Sequence, residues 1–250
     1  MSRACRKGRL LLPTPAARRS FAAMTERNPI LCAIDTPDTA RARALAGAIG
    51  PHVGGLKLGL EFFAANGPEA IRPLAGAAPL FLDLKLHDIP NTVAGAVRAA
   101  MRLEPLLLTL HCAGGLAMMR AAVAAAEGRT RLLGVTVLTS LDESDLASVG
   151  QRGPIADQAG RLARLAQDSG LDRVVCSPHE VAGLRAACGQ EFLLVVPGIR
   201  PTGAALGDQK RVMTPREALA AGADYLVIGR PITAAPDPAA AARTILGEAR

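Results

Sequence analysis

From Pro29 onward one rhythm repeats eight times: a short apolar run, a Gly, Pro or polar turn, then a stretch rich in Ala, Leu and Arg. The apolar runs are Ile30–Ile34, Val53–Leu58, Leu80–Leu84, Leu106–Leu110, Leu132–Leu138, Arg173–Cys176, Phe192–Val196 and Tyr225–Ile228. Short runs bounded by Gly, Pro or Asp suit strands buried on both faces, although periodicity alone leaves short buried helices open. The segments between them, such as Thr39–Ile49, Val93–Arg102, Ile155–Gln167 and Pro215–Ala221, carry apolar residues at helical spacing. Leu162, Leu165 and Ala166 share one face, with Arg161 and Arg164 on the other.

Eight strand–helix units in about 220 residues predict an α/β chain folded as a single-domain (β/α)8 TIM barrel over residues 29–250. A doubly wound open sheet is the alternative, but it wants a Gly-rich phosphate loop after its first strand. The first run here ends Ile34-Asp35-Thr36-Pro37, with no GxGxxG.

The net charge of +7 invites a nucleic-acid reading, and its location argues against one. Seven of the 29 basic residues and one of the 22 acidic residues fall in residues 1–27, so the rest is nearly neutral. Aromatic residues make up 2% of the chain, with no Trp, which leaves little to stack on bases. No nucleic-acid partner is expected.

Residues 1–28 are expected to be a disordered basic leader, or an over-extended start with Met24 as the initiator. The apolar stretch Leu10-Leu11-Leu12 stops at Pro13, short of a signal-peptide core. Arg18-Arg19-Ser20-Phe21 is similar to a twin-arginine signal, but no apolar segment follows it. A transit peptide is the remaining alternative. No apolar run approaches the ~18 residues of a membrane span. Cys5, Cys32, Cys112, Cys176 and Cys188 form no CxxC pair, which argues against disulfides or structural zinc and points to a reducing, cytoplasmic setting.

A barrel gathers its chemistry where strands end and the following loops begin. Those places carry Asp35, Lys57, Asp83 and Lys85, His111, Thr139 and Ser140, Ser177, Arg200, and Gly229 with Arg230. Charges in parallel strands cost several kcal/mol unless paired or functional. The lysine usage sharpens the point. Only four Lys stand against 25 Arg, and Lys57 and Lys85 both fall at strand C-termini. An ammonium surrenders a proton when its pKa is tuned, whereas a guanidinium does not.

The densest cluster is Asp83-Leu84-Lys85-Leu86-His87-Asp88-Ile89-Pro90-Asn91-Thr92. Asp83 and Lys85 are two apart in a strand, so both face the barrel mouth while Leu84 and Leu86 pack outward. A purely structural ion pair holding the loop is the alternative. Pro90-Asn91-Thr92 also reads as a helix start, Asp35 as a helix cap, and Thr139 and Ser140 as caps ahead of Asp142-Glu143. His87, His111, Cys112, Cys176 and Ser177 read as wall and packing residues.

This cluster resembles the active-site signature of the orotidine 5′-phosphate decarboxylases in their bacterial form. Leu31-Cys32-Ala33-Ile34-Asp35, Gly55-Leu56-Lys57-Leu58-Gly59 and Val135-Thr136-Val137-Leu138-Thr139-Ser140-Leu141 resemble the family's first, second and fifth strands. Pro197-Gly198-Ile199-Arg200-Pro201, Gly207-Asp208-Gln209 and Ile228-Gly229-Arg230-Pro231 follow in family order. Together they cover about Ile30 to Thr233.

The resemblance implies decarboxylation of orotidine 5′-phosphate to UMP, in pyrimidine synthesis, with no cofactor and no metal. It implies Lys85, Asp83 and Asp88 as catalytic residues, with Lys57, Asp83, Lys85 and Asp88 forming an alternating charge array. Asp35 and Lys57 match ribose contacts, and Thr139 and Ser140 match where the family reads the pyrimidine. Pro197 and Arg200 match binding positions, and Gln209, Gly229 and Arg230 the phosphate site, closed over by residues 200–211. Asp88 and Thr92 match positions that reach a partner's site in a homodimer.

Three rivals are set against this. A magnesium-dependent sugar-phosphate aldolase or decarboxylase on a related barrel wants an acidic ligand where Lys57 stands. A Schiff-base aldolase wants a neutral lysine, whereas Asp83 and Asp88 would keep Lys85 protonated. A phosphate-ligand or RNA-binding barrel would use the basic leader.

Overall fold

The structure, a computed structural model, describes residues 28–201 and 212–250. The leader to Arg27 and the expected phosphate contact Gln209 lie outside the described residues, as does most of the closing segment.

Eight parallel strands close into a barrel in sequence order: β1 Ile30–Ile34, β2 Gly55–Gly59, β3 Leu80–Leu86, β4 Leu107–His111, β5 Arg131–Val135, β6 Arg173–Val175, β7 Leu193–Val196 and β8 Tyr225–Ile228. The helices that return the chain are α1 Thr39–Ile49, α2 Leu60–Asn66, α3 Pro90–Ala100, α4 Gly115–Ala126, α5 Glu143–Ser148, α6 Ile155–Ser169, α7 Val181–Cys188, α8 Pro215–Ala220, α9 Arg230–Thr233 and α10 Pro238–Glu248. The predicted barrel is the observed one.

Strand alternation sorts the core into two layers. Leu31, Phe81, Leu107, Leu133, Val195 and Tyr225 fill the barrel interior. Their strand neighbours, such as Ile30, Cys32, Leu82, Leu108 and Leu110, pack outward beneath the helices. Helix α6 shows the complementary pattern, burying Ala159, Leu162, Ala163 and Ala166 while Arg161 and Arg164 stay exposed. Each large apolar side chain buried this way contributes about 1.5–3 kcal/mol.

Two boundaries differ from expectation in ways that matter for the site. The apolar run 132–138 yields a strand only to Val135, because β6 offers just three residues to pair with. Strand β3 runs past Leu84 to Leu86, carrying Lys85 with it. At the opposite end, Asn28, expected to be the last leader residue, already belongs to the barrel. Its amide donates to the His52 carbonyl (2.8 Å), and its Oδ1 accepts from Ile30 N (3.0 Å).

Candidate active site

The site is built from three adjacent strand ends. Register places Ala33 beside Lys57 and Gly59 beside Asp83, so the ends of β1, β2 and β3 stand side by side. Phe81 points into the barrel, and Asp83, two residues on, does the same; Lys57 alternates with the outward Leu56 and Leu58.

Asp35, Lys57, Asp83 and Lys85 form one connected network. Lys57 Nζ lies 3.3 Å from Asp35 Oδ1 and 3.3 Å from Asp83 Oδ2, and Lys85 Nζ donates to Asp83 Oδ2 at 2.7 Å. Two ammonium groups alternate with two carboxylates. The Lys57 side chain is 10% exposed and that of Lys85 35%, so Lys85 is the cation with access to a ligand.

Burial drags the Lys57 pKa down, but Asp83 and Asp35 outweigh it and hold it above the ordinary lysine value. Burial pushes Asp83 up, and Lys57, Lys85 and Thr109 outweigh that and hold it below the carboxylate range. The opposite charges around them thus favour the ionised forms of Lys57 and Asp83.

Strand β3 reaches this geometry by breaking its own regularity. Its ladder with β4 steps from Leu82–Leu108 to Leu86–Leu110, so β3 spends two more residues than β4 over that stretch. Within the irregularity Lys85 adopts φ +49°. A left-handed backbone costs a non-glycine residue about 1–2 kcal/mol. The Lys85 amide donates to Thr109 Oγ1 (2.9 Å), and that hydroxyl donates to Asp83 Oδ1 (3.0 Å).

Thr109 was not singled out from the sequence. The available signal is a lone hydroxyl inside Leu106-Leu107-Leu108-Thr109-Leu110, a buried polar group that needs partners.

Several alternative readings are resolved by the helix caps. The cap of α1 is Asp38, which accepts from Ala40 N and Arg41 N, leaving Asp35 to pair with Lys57. The cap of α5 is Asp142 in a capping box with Asp145, so neither Thr139 nor Ser140 caps it. Pro90 does open α3.

Asp88 is not in the network. It is exposed, its Oδ1 accepts from Ile89 N at 2.6 Å, and no ion pair joins it to Lys85. The array expected to extend to Asp88 ends at Lys85 within one chain, because the chain turns into α3 immediately after β3. Thr92 is likewise exposed, in the first turn of α3.

The other positions surround the same mouth. Thr139 and Ser140 lie in the turn after β5. Pro197 follows β7, and Gly198 then takes φ +77°, turning the chain into a parallel bridge between Ile199 and Met213. Buried Arg200 donates from Nη1 to its neighbour's carbonyl, Ile199 O (2.9 Å), and from its backbone N to Met213 O (3.0 Å). Gly229 precedes α9 and exposed Arg230 begins it. A side chain on Gly229 would stand 3.8 Å from Asp35 Oδ2, which puts the end of β8 against the charge network. His87 and His111 form part of the wall, ring centroids 5.5 Å apart. Burial, then His87 and Lys85, hold His111 below the ordinary histidine value. Among the described residues no three His, Cys, Asp or Glu side chains stand together as a metal site, and no helix is long and apolar enough to cross a membrane.

The profile of the Orotidine 5′-phosphate decarboxylase / HUMPS family matches residues 28–245. The chain belongs to that family. An orotidine 5′-phosphate decarboxylase of Rhodospirillum rubrum is 56% identical over 238 residues, covering 91% of this chain and 96% of the relative. One from Anaeromyxobacter sp. (strain K) is 58% identical over 217 residues, covering 86% and 96%. Among solved structures, the orotidine 5′-phosphate decarboxylase from Lactobacillus acidophilus superposes with a TM-score of 0.79 at 36% identity, covering 89% of this chain and 99% of that one. The family match begins at Asn28, which hydrogen-bonds to His52 and Ile30 of the barrel.

Proposed function

We propose that this chain decarboxylates orotidine 5′-phosphate to UMP and CO2 in the cytoplasm, as a metal-free and cofactor-free carbon–carbon lyase. The observation that carries the reading is the Lys85 ammonium, held at the barrel mouth by Asp83 at 2.7 Å with Lys57 behind it. The curated relatives supply the substrate by similarity.

Loss of CO2 leaves the electron pair of the broken bond on C6, in an orbital lying in the ring plane and outside the π-system. A cation already fixed at C6 stabilises that charge without the solvent reorganisation needed in water. Lys85 supplies the cation and then transfers an ammonium proton to C6; solvent restores it. Asp83 pairs with the Lys85 ammonium and keeps it aimed. Lys57 and Asp35 contact the ribose hydroxyls, and Thr139 and Ser140 read the pyrimidine. Arg230, Gly229, Gln209 and Arg200 hold the phosphate side. Asp88 and Thr92 act across a homodimer, a role supported by Ile89, which lies between them and is 67% exposed. The residues before Asn28 serve as a leader to the catalytic barrel.

The magnesium-dependent alternative is disfavoured by Lys57, whose charge occupies the β2 position where such a site wants a carboxylate. The test is the ultraviolet absorbance change of orotidine 5′-phosphate with the full chain, with and without a chelator. Turnover unaffected by chelation is expected. No turnover refutes the reading, and turnover lost on chelation and restored by Mg2+ favours the alternative.

A further inference from the structure

Thr109 lies on β4, fully buried, with its side chain on the interior face shared by Leu107. It sits opposite the irregular stretch of β3, where Asp83 and Lys85 leave the regular ladder. Its single oxygen makes two contacts whose directions are fixed by chemistry. The Lys85 amide has only a proton to offer, and the ionised Asp83 carboxylate only lone pairs. The hydroxyl therefore accepts from Lys85 N (2.9 Å) and donates to Asp83 Oδ1 (3.0 Å). One atom thus ties the left-handed backbone of Lys85 to the carboxylate that grips the same residue's ammonium.

We infer that Thr109 is a positioning residue, a strut that fixes the Lys85 main chain and the Asp83 side chain together before substrate arrives. The inference rests on the decarboxylase reading, since it assigns Thr109 a part in that chemistry. Asp83 Oδ2 already serves both lysines, so Oδ1 needs a separate anchor if the carboxylate is not to rotate. Lys85, for its part, has left the regular ladder, and its amide needs a partner in the barrel wall. Leucine or valine at this position would fill the space and anchor neither group. Ribose and phosphate contacts lie on other strands, so the strut acts on the reaction centre and not on substrate affinity.

The test compares Thr109→Val, which keeps the shape and removes the hydroxyl, with Thr109→Ser, which keeps the hydroxyl, both in the full chain. Expected for Thr109→Val is a loss of about 30-fold in kcat, with KM for orotidine 5′-phosphate and the Kd for UMP each within about 3-fold of wild type. Thr109→Ser should restore kcat to within about 3-fold. A Thr109→Val enzyme that keeps kcat overturns the inference. So does one that loses kcat and UMP affinity together, as general loosening of the fold would produce, or a Thr109→Ser enzyme as poor as Thr109→Val. If Thr109→Val does not fold, Thr109→Cys substitutes a weak donor and should lose about 10-fold in kcat with UMP binding retained; unchanged kcat there overturns it. Failure of the underlying reading shows separately, as a wild-type chain that does not turn over orotidine 5′-phosphate at all.

Discussion

Replacing Asp83 by Asn keeps the shape of the side chain and removes the one charge that serves both lysines. At an effective dielectric of about 20, unit charges at the observed 2.7 and 3.3 Å attract by about 6 and about 5 kcal/mol. The Lys85 share is reduced by solvent, since its side chain is a third exposed, and burial of the carboxylate offsets part of the remainder. Removing one partner of a buried pair then costs about 3–5 kcal/mol net, chiefly because Lys57 keeps its charge beside a neutral amide. For a chain of this length that lowers Tm by about 6–20 °C. The pH dependence identifies the cause. The native Asp83 pKa lies below its ordinary value, so its contribution is complete above that value, 3.8, and is lost as pH falls through the depressed one. The stability gap between wild type and Asp83→Asn should hold from neutral pH to about pH 5, then narrow by up to ~1.4 kcal/mol per pH unit once pH is below 3.8. Urea unfolding of both proteins across that range measures it. A gap under about 1 kcal/mol at neutral pH, or one that does not narrow in acid, refutes the electrostatic account.

Arg230→Ala should cost several kcal/mol in kcat/KM on orotidine 5′-phosphate, about the loss of a charge-assisted contact, and little on the phosphate-free nucleoside; equal losses on both would place Arg230 in the fold and not at the phosphate. Burial pushes the Cys32 and Cys112 thiols up to about 12, so neither should react with iodoacetamide near pH 8 in the folded protein, and mapped alkylation at either position under native conditions would contradict the packing. A methyl group on Gly54 would meet the Asn28 carbonyl oxygen, so Gly54→Ala should destabilise by about 1–3 kcal/mol, and an unchanged Tm would show that Asn28 is not held against the barrel.

The barrel was readable because its strands are short apolar runs with hard punctuation, and because ionisable groups cluster at one end of them. Lys57, Asp83 and Lys85 were readable for the same reason: a charge in a parallel strand has few explanations. What the sequence does not carry is the exception to alternation. Nothing in Asp83-Leu84-Lys85-Leu86 announces that the ladder slips opposite Thr109 or that Lys85 turns left-handed, since both depend on a neighbouring strand far along the chain. Counting by twos still placed both side chains on the inner face, whereas Asp88, drawn into the array by the family resemblance, lies past the end of the strand. Asp35 was ambiguous because Asp35 and Asp38 are both plausible caps for α1. Only the position of Lys57 on the next strand decides between them.

The central claim is that Lys85 provides both the charge and the proton at C6. The direct test is the turnover of orotidine 5′-phosphate by Lys85→Ala and Lys85→Arg, with UMP binding and Tm measured on the same samples. The account predicts that kcat falls by at least about a thousand-fold in Lys85→Ala, and that Lys85→Arg fails as well because a guanidinium does not surrender its proton, while both variants stay folded and still bind UMP. A folded Lys85→Ala enzyme that keeps a tenth of the wild-type rate without added amines would contradict it.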